Sequence, residues 1–338
     1  MMGDRALTKH QFGIETVHGT AVAADTMLLA ETSPLTPDRM PERVEENTGL
    51  RAAGYRIRDG DVVAVTDSLN LPHAYYQALP ALLSCGLKGG VTPAEQTSGQ
   101  GDYLWTFTPS MTGDNTPDSM TLEVGDDVDA YEREHLMFEG YRIQGSVNQG
   151  RGSAPVVVEG QYFARQNTKT SFTGGLSLPS SPQNLSAKLA RLYRNAAWAD
   201  LGNTEITNLL RSFDIQIMTG LHPKFFGSAN RYFDSFGQDR IGFVASFTFE
   251  GNAAADDIYD LMQAGTTSFL RLAVNGAQIG TGDPHSLVID MAGFWHDVIP
   301  LSAEDRGNNI HAAILTDLYD PTGAQNLTVK VTTNVSAI

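Results

Sequence analysis

The stretch from Asp61 to Leu87, DVVAVTDSLNLPHAYYQALPALLSCGL, decides how the chain is read. Val62, Val63 and Val65, bounded by turn residues, predict a strand that continues towards Leu71. Tyr76, Leu79 and Leu83 then recur three and four residues apart, which predicts a short helix within residues 72–86. The same phrase returns from Asp239 to Thr267 as DRIGFVASFTFEGNAAADDIYDLMQAGTT. Here residues 241–249 read as a strand and 254–264 as a helix with Ile258, Leu261 and Met262 on one face. Asp256 and Asp257 stand where the helix dipole favours negative charge, and Gly265 is placed to end the helix. Two such pairs, about 180 residues apart, imply a duplicated domain.

Composition agrees with this. At 338 residues there is room for two domains of roughly 150 residues each. With 33 Gly and 15 Pro the chain reads as a turn-rich β protein. A balance of 39 acidic against 23 basic residues opposes duplex-DNA binding, which works by neutralising phosphates with Lys and Arg. It leaves two readings, plain solubility or a surface past which a polyanion moves without sticking. No apolar run is long enough to span a membrane, and MMGDRALTKHQFG lacks the apolar core of a secretory signal. The single Cys85 excludes an intramolecular disulfide and any multi-cysteine metal site. Among Leu82, Leu83 and Leu87 it reads as a small buried hydrophobe, a nucleophile being the other reading.

Taken in order, residues 1–24 read as an N-terminal arm. Residues 25–173 read as a first β domain, 174–205 as a linker with a helix, and 206–338 as a second β domain. In the first domain, strands are expected at 27–32, 103–108, 119–124, 136–147 and 155–164, with a hairpin of 52–58 and 62–65 about Asp59-Gly60. GDDVDAYEREH is expected to be an acidic turn, and the polar loop from Lys88 to Asp102 is longer than an ordinary connection. From Leu185 to Ala197, LSAKLARLYRNAA predicts a helix with Leu185, Leu189, Leu192 and Tyr193 on one face. The second domain repeats the order with strands at 213–218, 231–236, 241–249, 268–274, 286–291, 293–299, 310–318 and 327–333.

Chemistry-bearing motifs are weak. His135 follows Glu132 and Glu134, with Asp126, Asp127 and Asp129 before it, but the run lacks a paired-His spacing and the Gly of a calcium loop. IGTGDPH at 279–285 has no Lys-Ser/Thr to complete a phosphate loop and reads as a turn. There is no GxSxG elbow, and the eight His residues are scattered. Trp105, Trp198 and Trp295 read as core or interface aromatics. We therefore expect no catalytic residues, no metal and no cofactor: a non-enzyme.

Several features together resemble the tail tube proteins of long-tailed, siphovirus-like bacteriophages. They are Glu15-Thr16 followed by Gly19-Thr20, LPHAYYQALPALLSCGL after its strand, YLWTFTP, SMTLEVGD, SFTFEG and TTSFLRLAVNG. The resemblance implies tandem β-barrel or β-sandwich units, each with a flanking helix, whose inner sheets join around a channel in rings that stack. It implies a virion protein assembled in the host cytoplasm, with partners in itself, a tape measure protein and other tail proteins. DNA would cross the lumen without specific binding, and no membrane would be involved. Because such rings hold six units, a duplicated chain would close a trimeric, pseudo-hexameric ring, a hexameric ring being the alternative. Residues 1–24 and 88–102 become candidate stacking elements, and Glu123, Glu139, Glu159 and Asp290 candidate lumen acids. The other readings are a neck, terminator or adhesin-like β module, or a carbohydrate-active β-sandwich, which requires paired carboxylates.

Overall fold

The computed structural model describes residues 5–31, 35–37, 39–49, 51, 54, 56–60, 63–147 and 152–338. Its first half contains β1 (Lys9–Ile14), β2 (Thr26–Leu28), β3 (Glu42–Arg43), β4 (Ile57–Arg58), β5 (Val65–Leu71) and helix α1 (Leu79–Ser84). β6 (Ala94–Glu95), β7 (Tyr103–Phe107), β8 (Met120–Gly125), β9 (Ala130–Ser146), β10 (Val156–Ala164) and β11 (Thr168–Thr170) follow. The second half contains β12 (Ala190–Asn195), β13 (Glu205–Ile206), β14 (Leu210–Met218), β15 (Leu221–Lys224), β16 (Ser235–Gln238) and β17 (Gly242–Glu250). After helix α2 (Ala253–Gln263) come β18 (Thr267–Gln278), β19 (Pro284–Asp305), β20 (Asn308–Asp317) and β21 (Leu327–Thr333). The fold is mainly β and antiparallel, and one sheet of 17 strands connects both halves.

Each half pairs its strands in the same order. In the first, β2 lies on β1, β1 on β8, β8 on β9, β9 on β10 and β10 on β5. In the second, β13 lies on β12, β12 on β18, β18 on β19, β19 on β20 and β20 on β17. β11 continues along β9 after β10, and β21 continues along β19 after β20. A helix follows β5 in one half and β17 in the other. Asn252 caps α2 by accepting from the amides of Ala254 and Ala255, and Ala255 and Ile258 bury its inner face.

The halves share edges and a core. β14 adds to β9, with Ser212 opposite Ser146 and Met218 opposite Gly140. β7, from the first half, pairs with β21 of the second, so Trp105 and Phe107 pack in one apolar cluster with Val329 and Val331. Antiparallel pairing satisfies every amide along these seams, which an open edge would leave to solvent.

Several expectations are corrected. Residues 9–14 are not part of an arm: β1 lies between β2 and β8, with Phe12 buried. The acidic stretch turns only at 126–129, because Ala130 onward already belongs to β9. Residues 185–197 hold no α-helix. A single 3₁₀ turn leads into strand β12, which covers the edge of β18. Leu192 is buried there while Leu189, on the apolar face of the expected helix, is 49% exposed. Ile57–Arg58 pairs with Glu42–Arg43, not across Asp59-Gly60; residues 52, 53, 55, 61 and 62 of that expected hairpin lie outside the described residues. The strands expected at 286–291 and 293–299 form a single strand, β19, that bends at bulges. The strand expected at 231–236 starts only at Ser235, as β16, and closes a hairpin with β15.

Candidate functional site

Seven strands run edge to edge in the order β5, β10, β9, β14, β17, β20, β19, three from the first half and four from the second. Side chains alternate across them. In β14, Phe213, Ile215 and Ile217 point into the core, leaving Asp214 and Gln216 on the opposite face. The register aligns Gln216 with Arg142 and Val244, and Asp214 with Gln144 and Ser246. Glu159 lies opposite Arg142 on one side and Asn70 on the other. A groove of about 740 Å³ crosses this face, lined among others by Gln144, Ser146, Asp214, Ser246, Thr248 and Ile314.

The charged side chains of the face have an acidic excess: Glu159, Asp214, Glu250 and Asp297 stand against Arg142 and Arg211, while apolar Val157, Ala312 and Ile314 also line the groove. The Arg142 guanidinium makes a forked contact with Asp214, Nε at 3.0 Å from Oδ1 and Nη2 at 2.6 Å from Oδ2. That partner holds the guanidinium pKa above its ordinary value. Arg211 reaches both Glu250 and Asp305 and fixes the end of the groove where β14 bulges. Carboxylates, hydroxyls and amides on this ladder carry hydration and an excess of negative charge.

Of the candidate acids, Glu159 stands on this face. Glu139 is the extra residue of a bulge in β9, half-buried, and burial raises its carboxyl pKa. Glu123 does not face a channel: it is 2% exposed and accepts from Gln11 Nε2 at 2.6 Å and from the amide and hydroxyl of Thr173. Asp290 is 3% exposed at its side chain and is gripped by Arg271 and Lys330. Asp214, Glu250 and Asp297 were missed, although the alternation of FDIQIM already sets Asp214 opposite the apolar residues.

Both candidate stacking segments are bound within the subunit over much of their length. Glu15 is buried and accepts from Ser119 Oγ at 2.5 Å, Thr121 Oγ1 at 3.0 Å, and the amides of His135 at 2.8 Å and Gly19 at 2.7 Å. Gly19 has φ 71°, and Arg165 packs where a side chain there would sit. In the long loop, buried Asp102 accepts from the amides of Thr97 at 2.9 Å and Asp283 at 2.7 Å. The loop is thus tied to residues 279–283, which form the turn between β18 and β19.

His135 is enclosed by His18, Phe233 and Phe236, its ring 5.5 Å from His18 and 4.8 Å from Phe233. Burial first, then the charge of Arg165 and His18, lowers its pKa to about 3. Cys85 is fully buried, and burial followed by the nearby Asp118 pushes its thiol well up, the opposite of an activated nucleophile. Trp105 and Trp295 are core residues, and Trp198 packs on Leu201, Phe269 and Ala292. Among the described residues, no group of three or more His, Cys, Asp or Glu is placed to hold a metal ion, and no helix is long and apolar enough to cross a membrane. No protein-family model matches the chain, and no curated protein matches it either.

Proposed function

We propose that this chain is a structural subunit of a phage tail tube, built from tandem tube-type β domains, whose rings stack around a channel for DNA. The carrying observation is the seven-strand sheet that passes through both halves at β9 and β14 and presents one grooved face with an acidic excess. Repetition of the pairing order supports a duplicated domain. Two like units joined edge to edge need only the same join made again between copies. Such a contact is heterologous, and a fixed rotation closes it into a ring.

In this reading three copies contribute six units, and the acidic face lines the lumen. A wall rich in Lys and Arg would hold DNA through salt-dependent phosphate contacts, whereas carboxylates and amides keep a hydrated layer between wall and duplex. The chain acts without catalysis or cofactor. Its partners are further copies of itself, a tape measure protein and other tail components, in a virion assembled in the host cytoplasm.

Electron microscopy of the purified protein tests the proposal. Rings or tubes with threefold symmetry and six similar lobes are the expected result. A ring of six whole chains would replace the trimer by a hexamer, and discrete monomers at all concentrations would remove the tube.

A further inference from the structure

Each half carries a hairpin inserted just before the strand that leads to its helix. In the second half it is β15–β16, before β17; in the first it is β3–β4, before β5. The β15–β16 hairpin is fully employed. It folds back over the first half, where Leu221 and Phe233 cluster with Met137 of β9 and Phe163 of β10. Arg165, two residues beyond Phe163, lies 4.9 Å from the ring of Tyr232, and the amide of Val63 donates to Arg231 O at 2.9 Å.

Among the described residues of the first hairpin, Met40 and Ile57 belong to none of the apolar clusters. Met40 and Ile57 are 70% and 75% exposed, unusual for apolar residues of that size. The matching seat in the second half is also uncovered. Met137 pairs with Phe163 across β9 and β10, and Phe294 pairs with Thr316 at the corresponding place across β19 and β20. Two residues beyond Thr316, where the first half has Arg165, comes Leu318, then Tyr319, at 40% and 46% exposure.

Hairpin and seat cannot meet within one copy. β5 and β19 are the opposite ends of the seven-strand sheet, six strand spacings or about 29 Å apart. Arg231 and Arg39 moreover hold Asp59, at the base of the hairpin, beside the first half. A second copy brings its own β5 end to this β19 end whenever the β9–β14 join is repeated between chains.

We propose that the β3–β4 hairpin of one copy docks on the β19–β20 end of a second copy, Met40 and Ile57 covering Phe294, Leu318 and Tyr319. The contact rests on the self-assembly proposed above and reproduces, between chains, what β15–β16 does within one. Burying these side chains gives the assembled form the apolar area that the single chain leaves in water.

The test uses two full-length variants, Ile57→Cys and Tyr319→Cys, mixed and treated with a short bismaleimide; Cys85 is fully buried and does not compete. Cross-linked dimers from the mixture, absent from either variant alone, are expected. Ile57→Asp and, independently, Met40→Asp should weaken self-association about tenfold or more while leaving the melting temperature of the single chain unchanged. Rings or tubes that form without the cross-link, and that both Asp variants leave intact, overturn the contact and spare the tube. Cross-linked pairs that never form rings uphold the contact and sink the tube. Monomers at every concentration overturn both.

Discussion

Glu15 illustrates how a single residue holds the N-terminal segment. Its carboxylate satisfies two hydroxyls and two amides in a buried site, so removing it leaves four donors without their acceptor. Glu15→Ala should lower unfolding free energy by about 3 kcal/mol in urea titration. A change within about 0.5 kcal/mol would show the carboxylate to be dispensable. His10 and His135 contribute to a pH dependence, and His285, lowered by burial, acts in the same sense. Burial and then Arg133 hold His10 down to about 4, and His135 is held at about 3, against an ordinary 6.5. Between those values and 6.5 the unfolded chain binds more protons than the folded one. The stability involved is therefore full above pH 6.5 and falls as pH drops, by up to about 1.4 kcal/mol per pH unit for each His. Glu134, raised by its own burial, acts in the opposite sense, but it is present in both chains of a paired comparison. His135→Phe should flatten the stability-versus-pH slope between pH 6 and 4.5 by about one proton; an unchanged slope would remove His135 from this account.

At the scale of elements, β1 matters most for separating folding from assembly. It pairs along both edges and buries Phe12, whose burial alone is worth about 2–3 kcal/mol against a typical total of about 5–15. Deleting residues 1–24 should therefore give insoluble or unfolded chain, not a folded subunit that merely fails to stack. A chain beginning at Thr8 keeps β1 and Glu15 and should show the far-ultraviolet spectrum and cooperative melting of the full protein. Cooperative melting in the longer deletion would return residues 9–24 to the status of an arm.

For the whole molecule, the acidic face makes a prediction about DNA. Glu159 lies opposite Arg142, and Asp214, one pair along opposite Gln144, holds the Arg142 guanidinium near the middle of the sheet. Replacing both with Lys should convert assembled particles from indifferent to retentive towards a short duplex. Each new phosphate contact should steepen the dependence of log K on log salt by about 0.9. Binding isotherms at three salt concentrations measure this. Equal binding by both forms would take these positions out of the proposed lumen.

Local pattern alone was enough to locate most strands and both helices. Alternation in FDIQIM and GFVASFTFE, and the three-and-four spacing of Ile258, Leu261 and Met262, are properties of a few adjacent residues and survive without tertiary context. The strand-then-helix order was also legible at both places, at β5 with α1 and at β17 with α2. What sequence could not decide was which edges meet. Residues 190–195 carry spacing compatible with a helix but become a strand because the edge of β18 requires a partner. Residues 9–14 read as an arm because no local feature reveals that β2 and β8 lie on either side. Glu123, Asp290 and Glu159 look alike in sequence, and only the packing buries the first two among donors and cations while leaving Glu159 on the grooved face. Secondary structure follows from neighbours along the chain, whereas edge pairing and the face a side chain presents follow from neighbours more than a hundred residues away, such as β1 on β8.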